Sequence, residues 1–208
     1  MSRSYITLSK EGSGTYVEKR SEFIGYAKPV STEQECIDYI EKIKGMNKGA
    51  RHNVYAYIVN EDGQVVSRYS DDGEPQGTGG IPVLDVLRKQ DITNAVIVVT
   101  RYFGGVLLGA AGLVRAYGKA ASLAIADAGL CRMVLCQPVS VTVEYTFYGK
   151  LQNALADKMA QAPVFGENVT VTYIVEEDEV DKVVNIVNEV TNGKNYLSLG
   201  EKEYYPVT

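Results

Sequence analysis

The sequence predicts an α+β protein of two domains, residues 1–135 and 136–208, on three observations. Strand-like apolar runs and helical apolar stripes are interleaved through the first part. The final stretch of about 70 residues reads βαββαβ, the ferredoxin-like order. Charge divides at the same point: residues 1–135 hold 16 Lys/Arg and 15 Asp/Glu (+1), residues 136–208 hold 5 Lys, no Arg and 11 Asp/Glu (−6), and the whole chain carries −5.

In the first domain, residues 15–20 and 23–30 alternate as strands, with Arg20-Ser21-Glu22 at their junction and Pro29 closing the second. Ser31 and Gln34 have capping-box spacing, and Cys36, Ile37, Ile40 and Ile43 form a helical stripe that Gly45 ends. Residues 53–59 and 64–69 read as a hairpin around Glu61-Asp62-Gly63. The loop 70–80 is rich in turn formers. Pro82 suits a first helical position, with the helix running to Lys89. Val96 to Val99 is a β-branched run that suits a strand covered on both faces. A helix over 110–127 follows, its inner side lined by Leu113, Ala116, Ala120, Leu123 and Ala124, and Gly129 stops it. Residues 130–138 read as the link to the second domain.

The second domain reads strand 139–145, helix 148–160, short strand 162–166, strand 168–175, helix 179–191 and strand 195–205. Val180, Val183, Val184 and Val187 give the later helix its apolar face. Glu176-Glu177-Asp178-Glu179 precedes that helix, where negative charge is favourable.

Composition narrows the function. A net charge of −5 argues against indiscriminate nucleic-acid binding. All eight arginines lie in the first domain, and guanidinium is the group best shaped for bidentate phosphate or carboxylate contact. An anion-recognising surface is therefore expected there. No apolar run approaches the roughly 18 residues that span a bilayer, and residues 1–14 contain no hydrophobic signal core. Cys36, Cys131 and Cys136 cannot all pair and fit no zinc spacing. With His52 as the single histidine, no metal site and no cofactor are expected. A reducing cytoplasm is the expected location.

Two stretches carry the chemistry. At the exit of the apolar strand stand Arg101, Tyr102 and Phe103, followed by Gly104 and Gly105. One charged residue and two aromatics in that place suggest a contact surface. Gly104 and Gly109 have phosphate-loop spacing, but Ala110-Ala111 replace the Lys-Ser/Thr that the device needs, and Gly-x-Gly-x-x-Gly is absent. The glycines either leave backbone N–H groups open to an anion or only permit tight turns. Arg115 and Lys119, four apart, share a helix face. The other stretch is the loop 71–80. Asp71, Asp72 and Glu74 suit a hard cation or a basic partner, although aspartates in such loops also bond their own backbone. Arg51 and His52 stand at a strand entry. No serine or cysteine presents itself as a nucleophile for His52, which favours a structural or anion-contacting role.

Together these residues resemble the YigZ/IMPACT family. The resemblance rests on Lys19-Arg20-Ser21-Glu22-Phe23-Ile24, Arg51-His52-Asn53-Val54-Tyr55-Ala56-Tyr57, Ser70-Asp71-Asp72-Gly73-Glu74-Pro75-Gln76-Gly77-Thr78, Pro82-Val83-Leu84, Val99-Thr100-Arg101-Tyr102-Phe103-Gly104-Gly105 with Leu108-Gly109, and Gly112-Leu113-Val114-Arg115-Ala116-Tyr117. It implies a first domain with the α+β fold of elongation factor G domain IV and a small-subunit ribosomal protein, a fold also found in small-molecule kinases related to galactokinase. It implies a second domain similar to domain V of elongation factor G. Eukaryotic IMPACT proteins affect translational control by competing for the activator of a starvation-responsive initiation-factor kinase. They do so through a separate N-terminal domain that is not part of this sequence, so that role does not carry over.

The expectation is a non-enzymatic cytoplasmic protein that binds RNA or the ribosome and translation factors, and regulates translation. Arg101, Arg115 and Lys119 would contact phosphates and Tyr102 or Phe103 would stack on bases. Asp71, Asp72 and Glu74 would shape the edge of the site, with Arg51, His52, Gly104 and Gly105 in the same surface. Two other readings stay open. One is an enzyme acting on a phosphorylated small molecule, with His52 as acid–base and the loop carboxylates holding a divalent ion. The other is an adaptor whose acidic second domain docks a basic partner. The leading reading requires Arg101, His52, Asp72 and Arg115 to converge on one concave patch.

Overall fold

A five-stranded antiparallel sheet organises the first unit, and its middle strand is the apolar run that precedes Arg101. The computed structural model describes residues 3–61 and 63–207, so Asp62 of the expected hairpin turn lies outside the described residues. Two units are distinct: Tyr5–Arg132, and Met133–Val207 with Arg3 and Ser4.

Strand β1 (Ser4–Leu8) comes first in the chain, and the first unit then contains β2 (Gly12–Glu18), β3 (Ser21–Pro29), α1 (Glu33–Met46), β4 (His52–Glu61), β5 (Gln64–Ser70), α2 (Gly80–Lys89), β6 (Ala95–Tyr102) and α3 (Gly109–Ala128). The sheet order is β2-β3-β6-β4-β5. Helices cover both faces of β6, which is why its alternation of polar and apolar residues is lost. Ala95, Ile97 and Val99 face the core under α2 and α3. Val96 and Val98 face the core under α1. Strand β1, which the polar N-terminal segment did not suggest, bridges Ile6 to Ile92 in parallel.

Local chemistry sets each boundary. The box on α1 falls one residue later than its expected place: Thr32 Oγ1 accepts from Glu35 N–H at 3.2 Å, and the Glu35 carboxylate accepts from Ser31 N–H at 2.7 Å. Glutamate reaches back where Gln34 does not, because Thr32 has the extended backbone that a cap requires. Tyr39 takes the inner position expected for Ile37, which is exposed. Helix α2 starts two residues before Pro82. Glycines let α3 lie directly on β2 and β3: a Cβ on Gly12 would stand 2.3 Å from Ala128 N, and one on Gly25 2.4 Å from Ala120 O.

The second unit follows through β7 (Leu130–Val143), α4 (Tyr145–Ala154), β8 (Met159–Ala160), β9 (Val164–Phe165), β10 (Val169–Glu176), α5 (Val180–Thr191), β11 (Tyr196–Leu199) and β12 (Glu203–Val207). Strand β7 pairs with β10 on one side and with β11 and β12 on the other, while β8 and β9 pair with β10. This order is the ferredoxin-like one. Residues 130–138, expected as a link, are instead the first part of the fourteen-residue strand β7. The helix expected to reach 160 ends at Ala154, because Met159 and Ala160 join the sheet edge opposite Ile174 and Tyr173. Leu151 and Leu155 of the α4 segment meet Val180, Val183 and Val187 of α5 in the core. The acidic run before α5 is tied by ion pairs, Glu177 to Lys202 and Glu179 to Lys158. No helix among the described residues is long and apolar enough to cross a membrane.

Candidate functional site

Three neighbouring strands of the first sheet end together, and the chemically distinctive residues are gathered there. Register pairs Glu22 of β3 with Tyr102 of β6, and His52 of β4 with Arg101. The loop 71–80 leaves β5 beside them, since Ser70 pairs with Tyr55.

Each acidic side chain of that loop turns inward. The Asp71 carboxylate accepts backbone N–H bonds from Gly77, Gly79 and Gly80 at 2.8, 3.0 and 2.8 Å. Burial alone would raise its pKa, but these three donors together outweigh burial and hold it below the ordinary value. Asp72 adopts a left-handed backbone with φ 47°. Its carboxylate accepts from Asn53 N–H at 2.6 Å, and its carbonyl lies 2.8 Å from His52 Nδ1. A carbonyl only accepts, so Nδ1 is the protonated nitrogen of this contact and Nε2 is the nitrogen turned to Glu74. That nitrogen stands 4.0 Å from Glu74 Oε1.

Glu74 and Arg101 form the centre. Both are buried, at 8% and 6% exposure. Glu74 Oε1 accepts from Arg101 Nη1 at 2.6 Å and from the Tyr117 hydroxyl at 2.7 Å. Burial first, then the bond to Glu74, pushes the Tyr117 phenol far above its ordinary range. The guanidinium carbon of Arg101 lies 5.4 Å from the ring centres of both Phe23 and Phe103, a cation–π distance. On the opposite face of the sheet, Thr100 Oγ1 donates to Asn53 Oδ1 at 2.8 Å, and the Tyr102 hydroxyl donates to Asn47 Oδ1 at 2.9 Å.

The structure thus joins His52, Asp72, Glu74 and Arg101 but changes what several of them can do. Arg101 is not an open phosphate contact: its charge is matched internally by Glu74. Tyr102 is not a free stacking platform, because its phenol ties the end of α1 to β6. The Gly104 N–H donates to Ser21 Oγ at 3.1 Å, and a Cβ there would lie 2.0 Å from the Arg20 backbone. Gly104 therefore serves close chain approach, while Gly105 supplies a turn with φ 82°. Asp71 uses both carboxylate oxygens, and Asp72 and Glu74 one each, on separate internal donors, and no group of three or more metal-ligating side chains is placed to hold an ion among the described residues. Arg115 and Lys119 do not enter the cluster, so the expected single patch of Arg101, His52, Asp72 and Arg115 does not form, and any phosphate-contacting surface at this sheet end must use other cations. Arg115 and Lys119 line a cavity of about 650 Å³ beside α2.

What remains outward is one carboxylate, Glu22, together with four cations and an aromatic ring. Lys19 and Arg20 form the two-residue turn between β2 and β3, both with positive φ, 45° and 67°. This is the primed hairpin geometry, built without the glycine or asparagine that marks it in a sequence. Lys48 follows Asn47, the anchor of Tyr102, and Arg51 precedes His52. All four side chains are exposed, as is one side of Phe103 at 43%. None of the four forms an ion pair among the described residues. Sequence reasoning placed Arg51 and Phe103 in the site but missed Lys19, Arg20 and Lys48, whose contribution depends on strand register.

Comparison with known proteins follows the same residues. A family model described as the Impact N-terminal domain matches residues 19–125. The chain is 39% identical over 206 residues to the IMPACT family member YvyE of Bacillus subtilis, covering 98% of this chain and 94% of that one. It is 34% identical over 144 residues to the IMPACT family member in pol 5'region of Thermus thermophilus, covering 69% and 76%. A solved structure described as a hypothetical protein superposes with a TM-score of 0.63 at 24% identity, over 98% of this chain and all of that one. That likeness concerns the fold alone.

Proposed function

We propose a function on the premise that this chain belongs to the IMPACT family: it is a non-enzymatic cytoplasmic protein that binds single-stranded RNA of the translation machinery through the end of its first sheet, and so regulates translation. One observation carries this reading. Lys19, Arg20, Lys48 and Arg51 are exposed on segments adjoining the sheet end that carries Phe103, without an ion-pair partner among the described residues, while the nearby carboxylates of Asp71, Asp72 and Glu74 are hydrogen-bonded internally. Cations along a groove track phosphates, and an aromatic face stacks on a base. Arg101 holds the other side of the Phe103 ring, so the ring is positioned before a base arrives. The acidic composition of residues 136–208 confines RNA contact to the first unit.

The test is fluorescence anisotropy with a labelled single-stranded RNA across a salt series. Four phosphate contacts on a single strand predict a log–log slope near −2.8, so affinity falls roughly 50-fold between 50 and 200 mM salt. Replacing the four cations with alanine flattens that slope. Phe103→Ala weakens binding by about 1–3 kcal/mol without changing the slope. Equal binding by the four-alanine variant and the native chain refutes the proposal.

A further inference from the structure

The cavity between α2 and α3 is distinct from the sheet-end surface and has its own chemistry. Ile81, Pro82, Val86 and Val114 form the apolar part of its lining, Tyr16, Gln90 and Ser122 add polar groups, and its volume of about 650 Å³ is that of a small-molecule site. Three cations, Lys89, Arg115 and Lys119, stand around it with one carboxylate, Asp85. None of the three cations forms an ion pair or a side-chain hydrogen bond among the described residues. Formally, the lining side chains sum to +2, with the Glu18 carboxylate behind the Tyr16 hydroxyl that also lines the hollow. Gly118 opens the floor: a Cβ there would find its nearest neighbour, Pro82 O, only at 4.0 Å.

We infer that this cavity binds a small phosphomonoester with a flat apolar body, of which a nucleoside monophosphate is the representative. The residual +2 matches a phosphate monoester, which carries about −1.5 to −2 near neutral pH. Arg115 offers the forked donor geometry that phosphate accepts. The aliphatic walls take the flat body. Asp85 can only accept hydrogen bonds, so it selects a body bearing N–H or O–H donors over a plain hydrocarbon phosphate. A polymer reading uses this charge less well, because three cations gathered at one hollow between α2 and α3 do not form an extended track. The inference is independent of the RNA proposal, since it involves none of Lys19, Arg20, Lys48, Arg51 or Phe103.

Isothermal titration of the full chain with AMP, UMP, adenosine and inorganic phosphate tests it. AMP or UMP is expected to bind once per chain, with adenosine and inorganic phosphate each weaker by roughly tenfold or more. Arg115→Ala and Lys119→Ala, both at exposed positions, should each weaken the nucleotide by a similar factor. Gly118→Phe fills the hollow without touching the charges and should remove binding, while circular dichroism reports a native melting profile. If Gly118→Phe does not fold, Arg115→Ala carries the test alone. No binding of either nucleotide at about millimolar concentration overturns the inference. So does inorganic phosphate binding as tightly as AMP, or nucleotide binding unchanged in Arg115→Ala and Gly118→Phe.

Discussion

Arg101→Ala removes the Nη1–H that Glu74 Oε1 accepts at 2.6 Å and leaves a carboxylate that is 8% exposed with the Tyr117 hydroxyl beside it. Breaking a buried pair by deleting one partner costs about 3–5 kcal/mol, because the other charge stays buried and uncompensated. For a unit the size of Tyr5–Arg132, each kcal/mol moves the melting midpoint by roughly 3–5 °C, so a fall on the order of 10–20 °C is expected. Calorimetry and urea titration followed by circular dichroism measure it. Glu74→Leu combined with Arg101→Met, which replaces both charges with apolar groups, should recover most of the loss, giving a large coupling energy in the double-mutant cycle. A loss below about 1 kcal/mol in Arg101→Ala, together with a sharp fall in RNA affinity, refutes the reasoning. Arg101 would then be a ligand contact and not an internal strut.

Asp71→Asn weakens three charge-assisted backbone bonds and should destabilise the chain by about 1.5–3 kcal/mol at neutral pH. The Asp71 pKa is held below its ordinary value of 3.8, so its contribution is complete above that value and is lost as pH falls through the lowered one. The stability difference between native chain and variant should therefore shrink only in that acid window, as urea titrations across pH would show. Gly104→Ala forces a Cβ against the Arg20 backbone and should cost about 1–3 kcal/mol by overpacking. Gly105→Ala has open space and a positive φ, so about 1–2 kcal/mol of backbone strain is its expected cost. Burial raises the Cys36 thiol to about 12 and the Cys136 thiol above its ordinary value. A thiol-disulfide reagent at pH 8 should therefore modify the partly exposed Cys131 first, with the other two following only on unfolding.

The sequence displayed elements wherever one physical signal dominated. The β-branched run of β6 and the alanine side of α3 announced a central strand and a helix pressed on it. The βαββαβ order of the second unit was equally plain, because its two helices carry clean apolar faces. Hidden from the sequence was everything that depends on register or on a distant acceptor. Lys19 and Arg20 occupy a primed turn without the residues that advertise one. Glu74 reads as a loop carboxylate, and only the fold brings Arg101 and Tyr117 to it. Of the convergence expected for Arg101, His52, Asp72 and Arg115, the first three do meet, but around Glu74 and not as an open site, because a chain of letters does not say which charges neutralise one another. Arg115 and Lys119 were rightly set on one helix face, yet that face borders α2 and a different hollow.

The guanidinium held between Phe23 and Phe103 makes the outermost ring the end of a lever whose fulcrum is Glu74. A displacement of Phe103 is therefore coupled through Arg101 and Glu74 to the loop 71–80, although no atom of that loop need touch the ring. Two family members with identical exposed side chains can then differ in how firmly this ring is held, through that hidden support alone.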